Sequence, residues 1–196
     1  MIFFRNFTTP LRGIFAGNLL LLFCSLFYLI WWAISFRQNS SGGLAGMLAG
    51  VFCITAAFIS GIAAIVLMSG GIYSLSQDSK SSPVRFILLG GAVLFLVLLL
   101  VTVIAFHRIV TLELLIIHIW AALELSVVSV LYGIGRFGLG RAVILAALVA
   151  IATVVALICY VLYYRLNGTA SYLDGMVPLM VDAFIMALFL GVLAVS

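Results

Sequence analysis

Four ionisable residues stand inside otherwise apolar stretches of the chain: Glu113, His118 and Glu124 in one, Asp182 in another. A charge near the centre of a bilayer costs a few kcal/mol on insertion scales and more in simulations, so such residues face a helix-bundle interior, pair with one another and mark a site or pathway. Carboxyls and an imidazole suffice for proton transfer. Burial in an apolar medium favours the neutral carboxylic acid, which suits Glu124 to taking and releasing a proton as water or substrate arrives. Histidine changes charge near neutral pH, so His118 can pair with Asp182 or relay its proton.

Spacing orders these groups in depth. At about 1.5 Å per helical residue, His118 and Asp182 each lie roughly 9 Å below the same surface, and Glu124 about 18 Å down, just past the midplane. Glu113, Asp174, His107 and Arg108 sit near the entrance, giving a ladder that descends from one side. At about 100° per residue, Glu113 and Glu124 differ by only about 20° and share a stripe with Ile117 and Trp120, while His118 stands about 120° away. One narrow face cannot hold both sets. The helix bearing them is expected at the bundle core, with the Asp182 helix as its neighbour.

The elements that must position these residues are six apolar runs: residues 14–36, 44–68, 86–106, 112–131, 142–164 and 176–195. Each reaches the roughly 20 residues that a helix needs to cross a hydrocarbon core of about 30 Å. Of the 196 residues, 67% are apolar and 7% charged, which excludes an ordinary soluble domain. The fold class expected is therefore an all-α integral membrane protein, a six-transmembrane-helix bundle forming a single polytopic domain over residues 1–196. The first run is too long for the h-region of a secretory signal, which has about 7–15 residues. Pro178 falls near the start of the last run, where a first-turn proline costs little; if the helix starts earlier, it marks a kink beside Asp182.

Six Lys and Arg residues flank one side (Arg5, Arg12, Lys80, Arg85, Arg136, Arg141) and three the other (Arg37, Arg108, Arg165), which puts both termini in the cytoplasm under the positive-inside rule. A plasma (inner) membrane location goes with this reading. The basic flanks suit anionic lipid headgroups, and no basic run suggests nucleic acid.

Small residues pattern the second run. Ala45, Ala49, Cys53, Ala57 and Gly61 recur every four positions beside a second ridge of Gly42, Gly46 and Gly50. Such ridges let helix backbones approach closely, so this helix is expected at a central contact or at a seam with an oligomer or partner subunit. Cys24, Cys53 and Cys159 fall in three different runs and read as packing residues. Tyr28, Trp31, Trp32 and Phe36, and Tyr160, Tyr163 and Tyr164, read as interfacial belts. Gly133, Gly135 and Gly138 spell G-x-G-x-x-G, but without the strand and βαβ unit that dinucleotide binding requires they read as a helix stop and turn.

Three functions fit. The first is a small-solute membrane transport protein, or the substrate-binding membrane subunit of a transporter, with protonatable groups on helices four and six. An inverted-repeat carrier is disfavoured because the first three runs lack ionisable counterparts to the second three. The second is an intramembrane enzyme acting on a lipid or sterol-like substrate, with Glu113, His118, Glu124 and Asp182 as acids and bases. The third is a non-catalytic subunit of a larger complex. One His and three carboxylates spread over about 18 Å make a poor metal site, and no cofactor is called for.

Overall fold

The computed structural model describes residues 9–38, 44–78, 83–106, 111–163 and 169–195. Among them it forms six helices and no strand: α1 (Thr9–Gln38), α2 (Leu44–Asp78), α3 (Val84–Phe106), α4 (Thr111–Gly133), α5 (Leu139–Tyr163) and α6 (Thr169–Val195). Each is long and apolar enough to cross a membrane, so the chain is an integral, multi-pass membrane protein. Two helices outrun their apolar stretches. The 35 residues of α2 would extend about 52 Å. Helix α6 starts at Thr169, seven residues before the apolar run, so Pro178 lies inside the helix rather than in its first turn. Pro178 stands one turn before Asp182 and, lacking an N–H, offers no helical donor to the carbonyl of Asp174.

The helices form two compact units, one of residues Met1–Gly71 with Cys159–Ser196, the other of Ile72–Ile158. In the first, α1 packs along α6. Its seam with α2 is built on glycine. A Cβ on Gly17 would collide with the Met68 side chain and stand 3.1 Å from the Ala64 carbonyl oxygen; one on Gly71 would stand 2.7 Å from both the Pro10 carbonyl and Ile14. Backbone thus meets backbone, which is how helices associate where lipid removes the hydrophobic drive. Gly13 and Gly17 form the small-xxx-small pair on α1, and the α2 stripe facing it includes the buried Ala64 and Met68. Part of the ridge read from the sequence joins this seam, with Gly61 against Cys24 and Gly50 near Trp31. Ala57 is buried, Gly46 half-buried and Ala49 exposed; Gly42 lies outside the described residues, as does the side chain of Ala45.

In the second unit α3 packs on α4, with Gly91 facing Ala122. The α4–α5 turn explains the glycine motif. Gly135 adopts φ 77°, the left-handed conformation that suits a residue without Cβ. Around it the Arg136 N–H donates to the Leu131 carbonyl (2.9 Å) and the Gly135 N–H to the Tyr132 carbonyl (3.0 Å). These two bonds make a Schellman cap that satisfies carbonyls at the end of α4. Phe137, buried just beyond it, anchors the turn.

Replacing Gly17 or Gly71 by Ala should overpack the α1–α2 seam and cost about 1–3 kcal/mol, measured as a lower melting temperature in detergent. Gly70, next to Gly71 but with nothing within 4 Å of where a methyl group would stand, should accept Ala without loss. Gly135→Ala should cost about 1–2 kcal/mol through the left-handed backbone alone.

Candidate functional site

Helix α4 is the most enclosed of the six. Sixty-one per cent of its span is buried, against 6% for α3. That enclosure matches the requirement that polar residues on two faces of one helix both avoid lipid. Along one face run Trp120, Glu124, Val127, Val128 and Leu131, all nearly or wholly inaccessible. Glu124, at 0% exposure, sits in the middle of this stripe. Trp120 precedes it by one turn, about 40° around the axis, so indole and carboxyl project from neighbouring positions.

His118 is buried on a different face, about 120° from Glu124. Its ring meets Phe95 of α3 edge-on, with centroids 5.6 Å apart and planes at 69°. Apart from Arg85 near its start, α3 brings no ionisable side chain to this contact, since residues 86–106 are free of Asp, Glu, Lys, Arg and His.

Asp182 belongs to the first unit. It lies thirteen residues into α6, about 20 Å from the helix start, because α6 begins earlier than the apolar pattern indicates. Met186, Phe189 and Leu193, all at most 1% exposed, follow it at the four-three-four spacing of a single helical stripe. Asp182 therefore lies in line with the buried face of α6. The structure thus puts His118, Trp120 and Glu124 on one helix of the second unit and Asp182 in the first unit. Glu113 and Asp174 fall within α4 and α6 with side chains outside the described set, and His107 and Arg108 lie outside the described residues.

Among the described residues five buried uncharged polar residues escape a search confined to ionisable groups: Asn18 and Ser25 of α1, Ser60 of α2, and Ser126 and Ser129 of α4, with Asn18 0% and Ser126 1% exposed. Their signal in the sequence is weak, since an isolated Asn or Ser barely lowers the hydropathy of a span. Among the described residues, the Trp120 indole N–H, the Ser126 and Ser129 hydroxyls and one Asp182 carboxyl oxygen are buried without a hydrogen-bond partner. The serines are unusual in this, because hydroxyls in helices commonly bond back to the preceding turn. Thr55, Ser60 and Thr153 do so, donating to the carbonyls of Val51, Ala56 and Val149 at 2.7–2.8 Å.

A cleft of about 390 Å³ opens on the first unit, lined by Leu20, Phe52, Thr55, Ala56, Ile59, Ser60 and Ala63. Thr55 and Ser60 direct their hydroxyl protons to backbone carbonyls, so the wall is apolar in effect and suits hydrocarbon. It includes none of the protonatable residues. Among the described residues no three His, Cys, Asp or Glu group as metal ligands. Of the aromatic residues read as interfacial, Tyr28 and Trp31 meet with centroids 5.1 Å apart and planes tilted by 43°, with Trp32 beside them. Tyr160 departs from that reading, being buried at 7% exposure.

Removing a buried hydroxyl that has no partner relieves its desolvation cost. Ser126→Ala and Ser129→Ala should therefore leave the melting temperature of the detergent-purified protein unchanged or raise it by the equivalent of about 1 kcal/mol. A loss of that size in both would mean that the hydroxyls hold helices together.

No family model, curated protein or solved structure matches this chain.

Proposed function

We propose that the chain carries or captures a small solute within the membrane, as a transport protein or as the substrate-binding membrane subunit of one. Glu124 is its central protonatable group. The observation that supports this reading is the complete burial of that carboxyl in the middle of the most enclosed helix. Apolar residues could fill the stripe at lower cost, since replacing buried polar groups by well-packed apolar ones is commonly neutral or stabilising. A carboxyl there is useful if its charge state changes as the solute comes and goes.

Further groups extend the proposal. Asp182, on α6, supplies a second carboxyl, and His118, on α4, an imidazole. Glu113, His107 and Arg108, at or just before the start of α4, and Asp174 of α6 are the further polar residues assigned to solute entry. The excess of Lys and Arg on one side supports cytoplasmic termini, and a plasma (inner) membrane is the host that the proposal assigns. The short connections leave no room for a soluble domain, so selection of the solute falls to the helices themselves. Should α2 also meet a partner subunit, its exposed residues such as Ala49 would supply that surface.

The test is thermal stabilisation of the purified protein by a panel of metabolites and lipids at two pH values, with Glu124→Gln and Asp182→Asn alongside. A specific ligand at a hundred times its Kd stabilises by about 2.7 kcal/mol. The expected outcome is a solute-induced shift that depends on pH and disappears in either variant. Response to lipids alone would favour a lipid-modifying enzyme. Variants that melt lower without changing any ligand response would reduce the carboxyls to helix-packing groups.

A further inference from the structure

The cleft on the first unit has a form of its own. Its α2 lining, Phe52, Thr55, Ala56, Ile59, Ser60 and Ala63, recurs at the three-four spacing of a single helical face, so the space of about 390 Å³ is a groove along the helix axis. Small side chains make the floor: Ala56 and Ala63 are half-buried and Ser60 is buried. Phe52 and Ile59, both exposed, make the outer rim, and Leu20 of α1 bounds the other side. Behind the floor the two helices touch, since a Cβ on Gly61 would stand 3.2 Å from the Cys24 sulfur. Phe27 of α1 meets Phe52 edge-on, with centroids 6.4 Å apart and planes at 87°, and fixes its ring at one end. The groove is thus backed by α1 and open toward the hydrocarbon around the spans.

Length and level match one leaflet. From Phe52 to Ala63, eleven helical steps extend about 16 Å. Just beyond the Phe52 end, a Cβ on Gly50 would stand 3.8 Å from the Trp31 ring, in the cluster of Tyr28, Trp31 and Trp32 that suits a membrane interface. Half of a hydrocarbon core of about 30 Å, counted inward from Gly50 at about 1.5 Å per residue, ends near Ser60. The groove therefore runs from beneath the aromatic cluster to the middle of the membrane, in the direction along which lipid chains lie.

The walls select against polar guests. Thr55 donates its hydroxyl proton to the Val51 carbonyl, and Ser60 donates to those of Ala56 and Ala57, at 2.7–3.0 Å. No ionisable residue lines the groove. Left unfilled, its walls would forfeit van der Waals contact. A neighbouring helix, about 10–12 Å across, would rest on the rim and send in separate side chains, whereas an unbranched chain follows a continuous groove.

We propose that the groove holds one acyl chain of a membrane phospholipid, in the leaflet nearest the α1–α2 connection, with its ester level beside Tyr28 and Trp31. This site is separate from the protonatable residues and does not rest on the transport reading.

The test places the full-length chain in vesicles of dioleoylphosphatidylcholine containing a trace of phosphatidylcholine that carries a diazirine on one acyl chain, either near the ester or near the chain end. After illumination, labelled peptides are mapped by mass spectrometry. Label should concentrate on residues 52–63 several-fold over α3, the helix most exposed to lipid, with the ester-proximal probe nearer Phe52 and the chain-end probe nearer Ala63. Ala56→Leu should fill the groove and cut its labelling several-fold while α3 is labelled as before. Ala63→Leu should do the same to the chain-end probe alone, and Ala49→Leu, exposed on α2 outside the groove, should change neither. Because Ala56→Leu leaves the protonatable residues untouched, it also separates a lipid response of this groove from one at Glu124. Label spread evenly over α2 and α3, or placed alike by both probes, overturns the proposal. So does a groove that stays unlabelled while α3 is labelled, which would mean that protein covers it. Label displaced by cholesterol but not by excess unlabelled phosphatidylcholine overturns it as well, making the occupant a sterol.

Discussion

A carboxyl within a hydrocarbon slab must be neutral, paired or hydrated, and much of this molecule can be understood from the way it meets that condition at Glu124. The residue is sealed on the most buried face of α4. The enclosure of α4 follows from the same condition, because His118, Ser126 and Ser129 occupy other faces of the helix and are also withheld from lipid. A helix with polar groups on so many sides is stable in a membrane only when covered by other helices.

The surrounding helices are adapted to close approach rather than to chemistry. Gly13, Gly17 and Gly71 bring the backbones of α1 and α2 together, and Gly91 lets α3 sit against Ala122. In lipid these contacts replace the hydrophobic effect with van der Waals packing over short distances. Helix α3 illustrates the division of labour, since it is almost wholly exposed and carries apolar side chains outward, yet places Phe95 on His118. The polar chemistry of the second unit is thereby concentrated on a single element.

Helix number and type were legible from run length alone, because hydrocarbon thickness sets a minimum that few other architectures satisfy. Helix ends were less so. The apolar run of α6 stops at Asp174 and Gly175, but neither residue forbids a helix, and α6 continues back to Thr169. Hydropathy reports where water gives way to lipid, whereas helix ends are set by backbone capping, as the Schellman turn at Gly135 shows. The difference places Asp182 farther along its helix than the run suggested and puts Pro178 within the helix. Within the candidate site, the stripe of Trp120 and Glu124 could be read from the 3.6-residue repeat, and so could the separate face of His118. Asn18, Ser126 and Ser129 could not, because uncharged polar side chains cost too little in a span to stand out until their burial is known. The small-residue pattern of α2 was visible, but its seam with α1 centres farther along, on Ala64, Met68 and Gly71. Glycines at Gly13 and Gly17 gained meaning only with the helix start at Thr9 and the opposing surface in view.

The central claim is that Glu124 rests as a neutral carboxylic acid and changes charge state during function. Infrared spectroscopy of the protein reconstituted in lipid tests it directly, using the carbonyl stretch of protonated carboxyl groups with Glu124→Gln as the assignment control. The account predicts a protonated carboxyl band at neutral pH that is missing in the variant and that fades as pH rises or as ligand binds. A Glu124 that contributes only carboxylate absorption at neutral pH, unchanged by pH or ligand, would contradict it.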